Sequence, residues 1–176
     1  MPPSTPDELF ARLAALGIRA DTHAHEAVFT VAQSRSIKAA IPGAHTKNLF
    51  LKDRKGRLFL VTARDETEID LKRLHEALGA SGRLSFGSAD LLRTALGVEP
   101  GSVTPLAVVN DREGRVAVIL DASLMAFERI NVHPLVNTMT TGLSRDDLVA
   151  FLTDASHPPR VLSLPEPRPE SARQEA

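Results

Sequence analysis

The chain lacks several residue types, and each absence argues against a class of site. It contains no cysteine, which excludes disulfides, thiol nucleophiles and thiolate metal ligands and fits a reducing compartment. It contains no tryptophan or tyrosine, which argues against an aromatic platform for stacking single-stranded nucleic acid. No apolar run approaches the roughly 20 residues that a membrane-spanning helix needs.

Charge and targeting signals narrow the class of protein further. The first residues have neither the basic nor the apolar region of a signal peptide, so we expect a soluble cytoplasmic protein that binds no membrane. The net charge is −1 over 176 residues, whereas proteins that wrap long nucleic acid are usually strongly basic. We therefore expect no DNA binding and only local contact with any RNA.

Helix and strand signals follow one another along the whole chain. Capping boxes begin predicted helices at Thr5 and at Thr30, and the second helix should stop before Pro42. Two strands, 47–52 and 57–63, flank a hairpin turn. Further predicted elements are helices over 71–78 and 88–96, a second hairpin from 106–109 and 115–120, a strand near 129–132 and a last helix after Ser144.

These elements predict one α/β domain in which helices flank a mixed β-sheet. A hydrophobic content of 43% is ordinary for a globular protein with a sizeable core. We place this domain at residues 1–157. Proline and glutamate dominate after Pro158, which predicts a disordered tail over residues 158–176.

Lys47 is the first candidate for a functional group. It lies beside Asn48 at the start of a predicted buried strand, and a cation entering a packed element is costly unless an anion meets it. It is either a strand-edge lysine that reaches water or an ammonium that holds a phosphate, carboxylate or oxyanion in a pocket. Four cations follow it and form either a solvated turn or a basic rim for a phosphate backbone: Lys52, Arg54, Lys55 and Arg57. Of these, Lys52, Arg54 and Lys55 are the predicted tRNA-binding residues.

The second candidate is the loop from Gly97 to Pro105. Pro100 and Gly101 form a strong turn signal, because glycine permits a positive φ and close approach of the backbone. Ser102 and Thr104 add hydroxyl groups. The loop is either a simple connection between elements or a wall of backbone N–H groups that polarises an ester carbonyl.

The third candidate is His133, which precedes a proline and is therefore held extended. It is either a structural histidine bonded to the backbone or a pocket wall that contacts a substrate amine or limits substrate size. His23 and His25 share a face of an extended segment, but no further ligands complete a metal site. With no Walker loop and no Rossmann fingerprint, we expect neither a metal nor a cofactor.

Four segments in the same order resemble the YbaK and prolyl-tRNA synthetase-associated editing family: His45–Asp53, Leu84–Gly87, Gly97–Pro105 and Asn131–Leu135. Within that family the chain is most similar to the free-standing deacylases that remove alanine from proline tRNA. The resemblance implies a curved mixed sheet and hydrolysis of the ester at the 3′ end of a mischarged tRNA.

The resemblance also implies roles for individual residues. The family's lysine falls on Lys47, its catalytic-loop glycine on Gly101 and its pocket histidine on His133. One departure is that Val136 and the pair at 138–139 replace more polar or basic residues. This departure bears on how the segment meets the tRNA end.

An aminoacyl ester is already activated, so we expect the protein to position water and stabilise an oxyanion rather than supply a nucleophile. Our hypothesis is that the backbone N–H groups of Gly101 and Ser102 face the ester while Lys47 holds the terminal phosphate or sugar. No side chain is an obvious general base, which favours help from the vicinal ribose hydroxyl of the substrate.

A synthetase for proline cannot reject alanine firmly, because each missing methylene is worth only about 1–3 kcal/mol in binding. A second, small pocket can instead reject proline by steric overlap. The expected substrate contacts are Val28, Phe29, Ile37, Asn48, Thr104 and His133. The expected partners are the acceptor end of proline tRNA and prolyl-tRNA synthetase. Two alternatives are removal of cysteine from the same tRNA and a non-catalytic module that binds tRNA or the synthetase.

Overall fold

The computed structural model describes residues 1–27 and 31–167. Within these residues there are five α-helices, namely α1 (Pro6–Ala15), α2 (Val31–Ala40), α3 (Leu74–Leu78), α4 (Ala89–Leu96) and α5 (Arg145–Asp154). The strands are β1 (Asp21–Ala24), β2 (Ala44–Lys52), β3 (Leu58–Arg64), β4 (Ser85–Phe86), β5 (Val116–Asp121), β6 (Arg129–Val132), β7 (Met139–Ser144) and β8 (Arg160–Leu162). Two 3-10 helices span Pro105–Asn110 and Ala122–Ala126.

One mixed sheet joins all the strands, in the order β1-β7-β6-β2-β3-β5-β8, with β4 paired to β2. The β2–β3, β6–β7 and β1–β7 pairs are antiparallel, and β2–β6, β3–β5 and β5–β8 are parallel. The prediction of an α/β domain with a mixed sheet flanked by helices is therefore confirmed.

The centre of the sheet is buried on both faces. Side chains alternate along a strand, so Leu58 and Leu60 of β3 enter one hydrophobic cluster, with α1, α4 and α5. Phe59 and Val61 of the same strand enter a second cluster, with α3. The continuous apolar runs of the central strands are explained by this burial.

The predicted helix ends agree with the structure where the structure describes them. Thr5 forms a capping box with Glu8, and the hydroxyls of Ser88 and Ser144 cap α4 and α5. Gly97 ends α4 in the left-handed conformation. The cap predicted at Thr30 lies outside the described residues.

The prediction of a second hairpin is wrong. Residues 106–109 belong to the 3-10 helix Pro105–Asn110, and β5 pairs in parallel with β3 and β8 instead. The Thr104 hydroxyl caps this helix by accepting the Leu106 N–H, and Pro105 fixes φ in its first turn. Similarly, α3 starts only at Leu74, and the predicted first turn of that helix lies outside it.

The packed domain extends past the boundary predicted at residue 157. β8 pairs with β5 at the edge of the sheet, and Leu164 is only 8% exposed in the second cluster. The three paired residues fall between prolines, which lack a donor for the ladder and are tolerated beside an edge strand. Residues 168–176 of the predicted tail lie outside the described residues. No described helix is long and apolar enough to cross a bilayer.

Candidate active site

A cavity of about 430 Å³ brings together four of the predicted site residues: Ile37, Lys47, Gly101 and His133. They come from four separate places in the chain, on α2, β2, the loop after α4, and the segment after β6. A volume of this size is typical of pockets that bind small molecules. The fold therefore brings groups that are up to 96 residues apart in sequence together on one concave surface.

Lys47 is the fourth residue of β2 rather than its first, because the strand begins at Ala44. It is half-buried, and its ammonium donates a hydrogen bond to the backbone carbonyl of Thr67. An ammonium has three N–H donors, and this bond uses one of them. The other two leave Lys47 able to bind an anion in the cavity.

Gly101 occupies a tight turn whose geometry frees its own N–H. The Ser102 N–H donates to the Glu99 carbonyl at 3.0 Å, Pro100 takes the second position and Gly101 has φ +89°. These features define a type II turn, in which the third residue does not take part in the closing hydrogen bond. The Gly101 N–H has no acceptor within residues 1–27 and 31–167.

The expectation that Ser102 offers a second N–H to the ester is therefore wrong. Its N–H closes the turn, and the residue is only 6% exposed and does not line the cavity. A backbone N–H donates to one carbonyl well, so a donor already committed inside a turn is unavailable to a substrate. Of the two N–H groups, the loop leaves that of Gly101 for the cavity.

His133 is held in one tautomer by the backbone. Its Nδ1 lies 3.0 Å from the Met139 carbonyl, which can only accept, so Nδ1 carries the proton and Nε2 is an acceptor when the ring is neutral. Burial lowers the pKa of His133 below its ordinary value, the bond to Met139 opposes this, and the nearby His25 lowers the pKa further. The ring is consequently neutral at pH 7.

The cavity is also lined by residues outside the predicted set, and four of these form two interacting pairs. Lys38 of α2 forms an ion pair with Asp65, just past the end of β3. His25 and Thr140 are hydrogen-bonded to each other and also line the cavity. The two residues of each pair are 27 and 115 positions apart in sequence, respectively, so no local pattern predicts the pairs. The shared face of His23 and His25 was the one sequence signal available.

Two further predicted contacts do not line the cavity. Asn48 follows Lys47 on β2, so it points to the opposite face, where its carbonyl oxygen accepts the Thr62 hydroxyl at 2.7 Å. Thr104 is fully buried and its hydroxyl caps the 3-10 helix. Both side chains are thus occupied inside the protein, and Val28 and Phe29 lie outside the described residues.

The three predicted tRNA-binding cations lie away from the cavity. Lys52 is the last residue of β2, Arg54 and Lys55 lie in the turn that follows, and all three are exposed. Lys52 is five residues from Lys47, roughly 17 Å along an extended strand. Among the described residues, no group of three histidine, cysteine, aspartate or glutamate side chains is arranged to hold a metal ion.

Comparison with known proteins places this geometry in context. The model of the aminoacyl-tRNA editing domain family matches residues 25–151. Prolyl-tRNA synthetase associated domain-containing protein 1 from Bos taurus is 38% identical over 157 residues, which cover 87% of this chain and 91% of the relative. The prolyl-tRNA editing protein ProX from Acetoanaerobium sticklandii is 37% identical over 141 residues, which cover 80% of this chain and 85% of the relative.

The fold has a counterpart among solved structures. The crystal structure of a candidate trans-editing enzyme for prolyl tRNA synthetase superposes with a TM-score of 0.67. The match covers 92% of this chain and 99% of the other at 16% sequence identity. At that identity the similarity is one of fold.

Proposed function

The chain belongs to the aminoacyl-tRNA editing domain family, and from this premise we propose that it is a trans-editing deacylase acting on mischarged proline tRNA. The proposed substrate is the alanyl ester. The observation that carries the proposal is the cavity that holds both the Lys47 ammonium and Gly101, whose N–H has no acceptor among the described residues. A cation and a free backbone donor in one cavity suit an anionic substrate whose carbonyl becomes an oxyanion.

In this proposal the Gly101 N–H donates to the carbonyl oxygen of the ester. Hydrolysis of an ester passes through a tetrahedral intermediate in which that oxygen carries a full negative charge. A donor fixed by the protein stabilises this charge without reorganising, and removing one such donor typically costs about 10²- to 10³-fold in rate. The type II turn fixes the donor because Pro100 has a restricted φ and the Ser102 N–H closes the turn on the Glu99 carbonyl, while Gly101 accommodates the positive φ.

Lys47 anchors the terminal nucleotide of the tRNA. Its two N–H groups that the Thr67 carbonyl does not use can bind a phosphate oxygen or a ribose hydroxyl. The anchor fixes the position of the ester relative to Gly101, and such positioning is a large part of catalysis for an already activated bond.

Ile37 and His133 form walls of the space for the aminoacyl side chain. A small space admits the methyl group of alanine and rejects the proline ring by overlap. Exclusion by overlap suits this task, since the alternative of recognising a missing methylene yields only about 1–3 kcal/mol.

Lys52, Arg54 and Lys55 are proposed to contact the acceptor stem. Lys52 lies roughly 17 Å from Lys47 along β2, and Arg54 and Lys55 follow in the turn, which fits a duplex end that leads away from a bound terminal nucleotide. Such contacts would raise affinity without entering the reaction, and salt would weaken them.

A deacylation assay with proline tRNA charged separately with alanine, cysteine and proline tests the function. We expect multiple turnovers on the alanyl ester, and little hydrolysis of the prolyl ester. Faster hydrolysis of the cysteinyl ester would assign the chain to cysteine removal. Binding of tRNA without hydrolysis of any of the three esters would contradict the enzymatic proposal and favour a binding module.

A further inference from the structure

His25 and Thr140 form a hydrogen-bonded chain at the wall of the cavity. His25 Nε2 lies 2.8 Å from the Thr140 hydroxyl, and His25 Nδ1 lies 2.8 Å from the backbone carbonyl of Glu26. Both side chains line the cavity that holds Lys47 and Gly101. The arrangement is that of a hydroxyl, a base and a group that orients the base.

The direction of each proton follows from the chemistry of the partners. The Glu26 carbonyl can only accept, so His25 Nδ1 carries a hydrogen and a neutral ring leaves Nε2 as an acceptor. The Thr140 hydroxyl therefore donates to Nε2. With its own hydrogen committed to His25, the Thr140 oxygen can only accept from a molecule that enters the cavity.

We propose that Thr140 and His25 form the proton relay that activates the attacking water, with Thr140 touching the water and His25 receiving the proton. This inference rests on the proposed ester hydrolysis. In this relay the protein activates the water, a role that the ribose hydroxyl of the substrate would otherwise have to fill. Thr140 acts as the catalytic residue, and His25 is a positioning residue that acts through it.

The proposed step conserves every proton. Water attacks the ester carbon and forms a C–O bond, its hydrogen passes to the Thr140 oxygen, and the Thr140 hydrogen passes to His25 Nε2. The product is an oxyanion at the Gly101 N–H and an imidazolium at His25. Cleavage of the ester C–O bond then returns the proton through Thr140 to the ribose oxygen, and the released amino acid ionises in solvent.

Charged and titratable groups around the relay set its response to pH. The cavity also holds Lys38 and Asp65 as an ion pair, the Lys47 ammonium, and the rings of His45 and His133. A protonated His25 cannot accept from Thr140, so the relay requires the neutral ring and the rate should fall in acid. Burial lowers the pKa of His133 below its ordinary value, so that ring resists protonation.

Substitutions of Thr140 test the relay in alanyl-tRNA hydrolysis by the full chain. Thr140→Val keeps the shape but removes the hydroxyl, and we expect kcat to fall by about 10²- to 10⁴-fold, the usual range for general base catalysis, with little change in KM. Thr140→Ser restores the hydroxyl and should restore most of kcat. Loss of kcat in both variants would show a structural role and overturn the relay.

Thr141→Val is the matched control. Thr141 is the next residue on β7, is fully buried, bonds its hydroxyl to Thr22 at 2.8 Å and does not line the cavity. The Thr141→Val variant loses a threonine hydroxyl from the same strand, so it measures only the structural effect of losing a hydroxyl there. We expect wild-type kcat from this control, and a loss equal to that of Thr140→Val would overturn the relay.

Two further measurements separate the relay from assistance by the substrate. His25→Gln can still accept from Thr140 but cannot take up its proton, so kcat should fall and the loss of rate in acid should weaken. A substrate with a 2′-deoxy terminal adenosine should still be hydrolysed by the wild type. Normal kcat in Thr140→Val, with no hydrolysis of the deoxy substrate by the wild type, would assign water activation to the ribose. A wild type inactive on every ester would instead contradict the proposed function itself.

Discussion

Replacement of Gly101 by alanine separates the chemistry of the turn from its stability. A Cβ at this position would meet only the Asn137 side-chain nitrogen, at 3.6 Å, which is an ordinary contact. The substitution therefore causes no clash. Its effect comes from the backbone, because Gly101 has φ +89°, a conformation that L-residues adopt at a cost.

The size of the effect follows from that backbone conformation. A left-handed conformation costs an L-residue about 1–2 kcal/mol, which should lower Tm by about 2–8 °C in a domain of this size. The turn can relieve the strain by rotating the Pro100–Gly101 peptide, and this rotation turns the free N–H away from the ester. The expected loss in kcat is then about 10²- to 10³-fold, the usual cost of one oxyanion donor.

Single-turnover deacylation of alanyl-tRNA and thermal unfolding should be measured on the same preparation. Gly114→Ala is the control, since Gly114 has φ +63°, a Cβ added there would meet no described atom within 4 Å, and the residue does not line the cavity. It should lose similar stability and keep its full rate. If Gly101→Ala unfolds at the lower temperature but keeps the wild-type rate, the N–H of Gly101 has no role in catalysis.

Three further predictions concern single side chains. Lys47→Ala should lower kcat/KM by roughly 10- to 150-fold, which corresponds to about 1.5–3 kcal/mol for a hydrogen bond to a charged group. The exposed Lys72→Ala is the control, and equal rates for the two variants would show that Lys47 does not anchor the substrate. Burial lowers the pKa of His133, so the unfolded chain binds more protons than the folded chain below pH 6.5, and stability falls there. His133→Gln should weaken this fall, measured as the urea midpoint between pH 7 and pH 5. An unchanged pH slope would contradict the prediction. Burial of the Asp53 carboxylate raises its pKa, but hydrogen bonds from backbone N–H groups and from Arg57 outweigh this and lower the pKa to about 2. The stabilisation should exist above about pH 4 and disappear as pH falls through 2, so Asp53→Asn should be less stable than the wild type at pH 7 and approach it at pH 2; a gap independent of pH would refute this cause.

Local signals in the sequence predicted most elements of the fold. Capping residues at Thr5, Ser88 and Ser144 mark helix starts that the structure reproduces, because a cap is an interaction between residues three positions apart. The error at 106–109 has a different origin. An apolar run of four residues fits a buried strand and a buried short helix equally well, and Thr104 and Pro105 decide for the helix.

The cavity was predictable only in part. Gly101 and Lys47 carry local signals, a turn pair and a charge in an apolar strand. The direction of a side chain depends on strand register, so the opposite orientation of Asn48 could not be seen from its position beside Lys47. The pairs Lys38–Asp65 and His25–Thr140 depend on which elements the sheet brings together, and pairing between distant segments has no short-range signature.

The alternation of side-chain direction along β2 constrains the length of the turn between β2 and β3. Asp53 accepts the N–H groups of Lys55, Arg57 and Ser81 and so fixes the turn that sets the register of β2 against β3. A register change of one residue would exchange the faces of all side chains on the strand, moving Lys47 out of the cavity. We therefore expect any change in the length of this exposed turn that shifts the register to impair the cavity, although Lys47 lies roughly 17 Å from the end of β2.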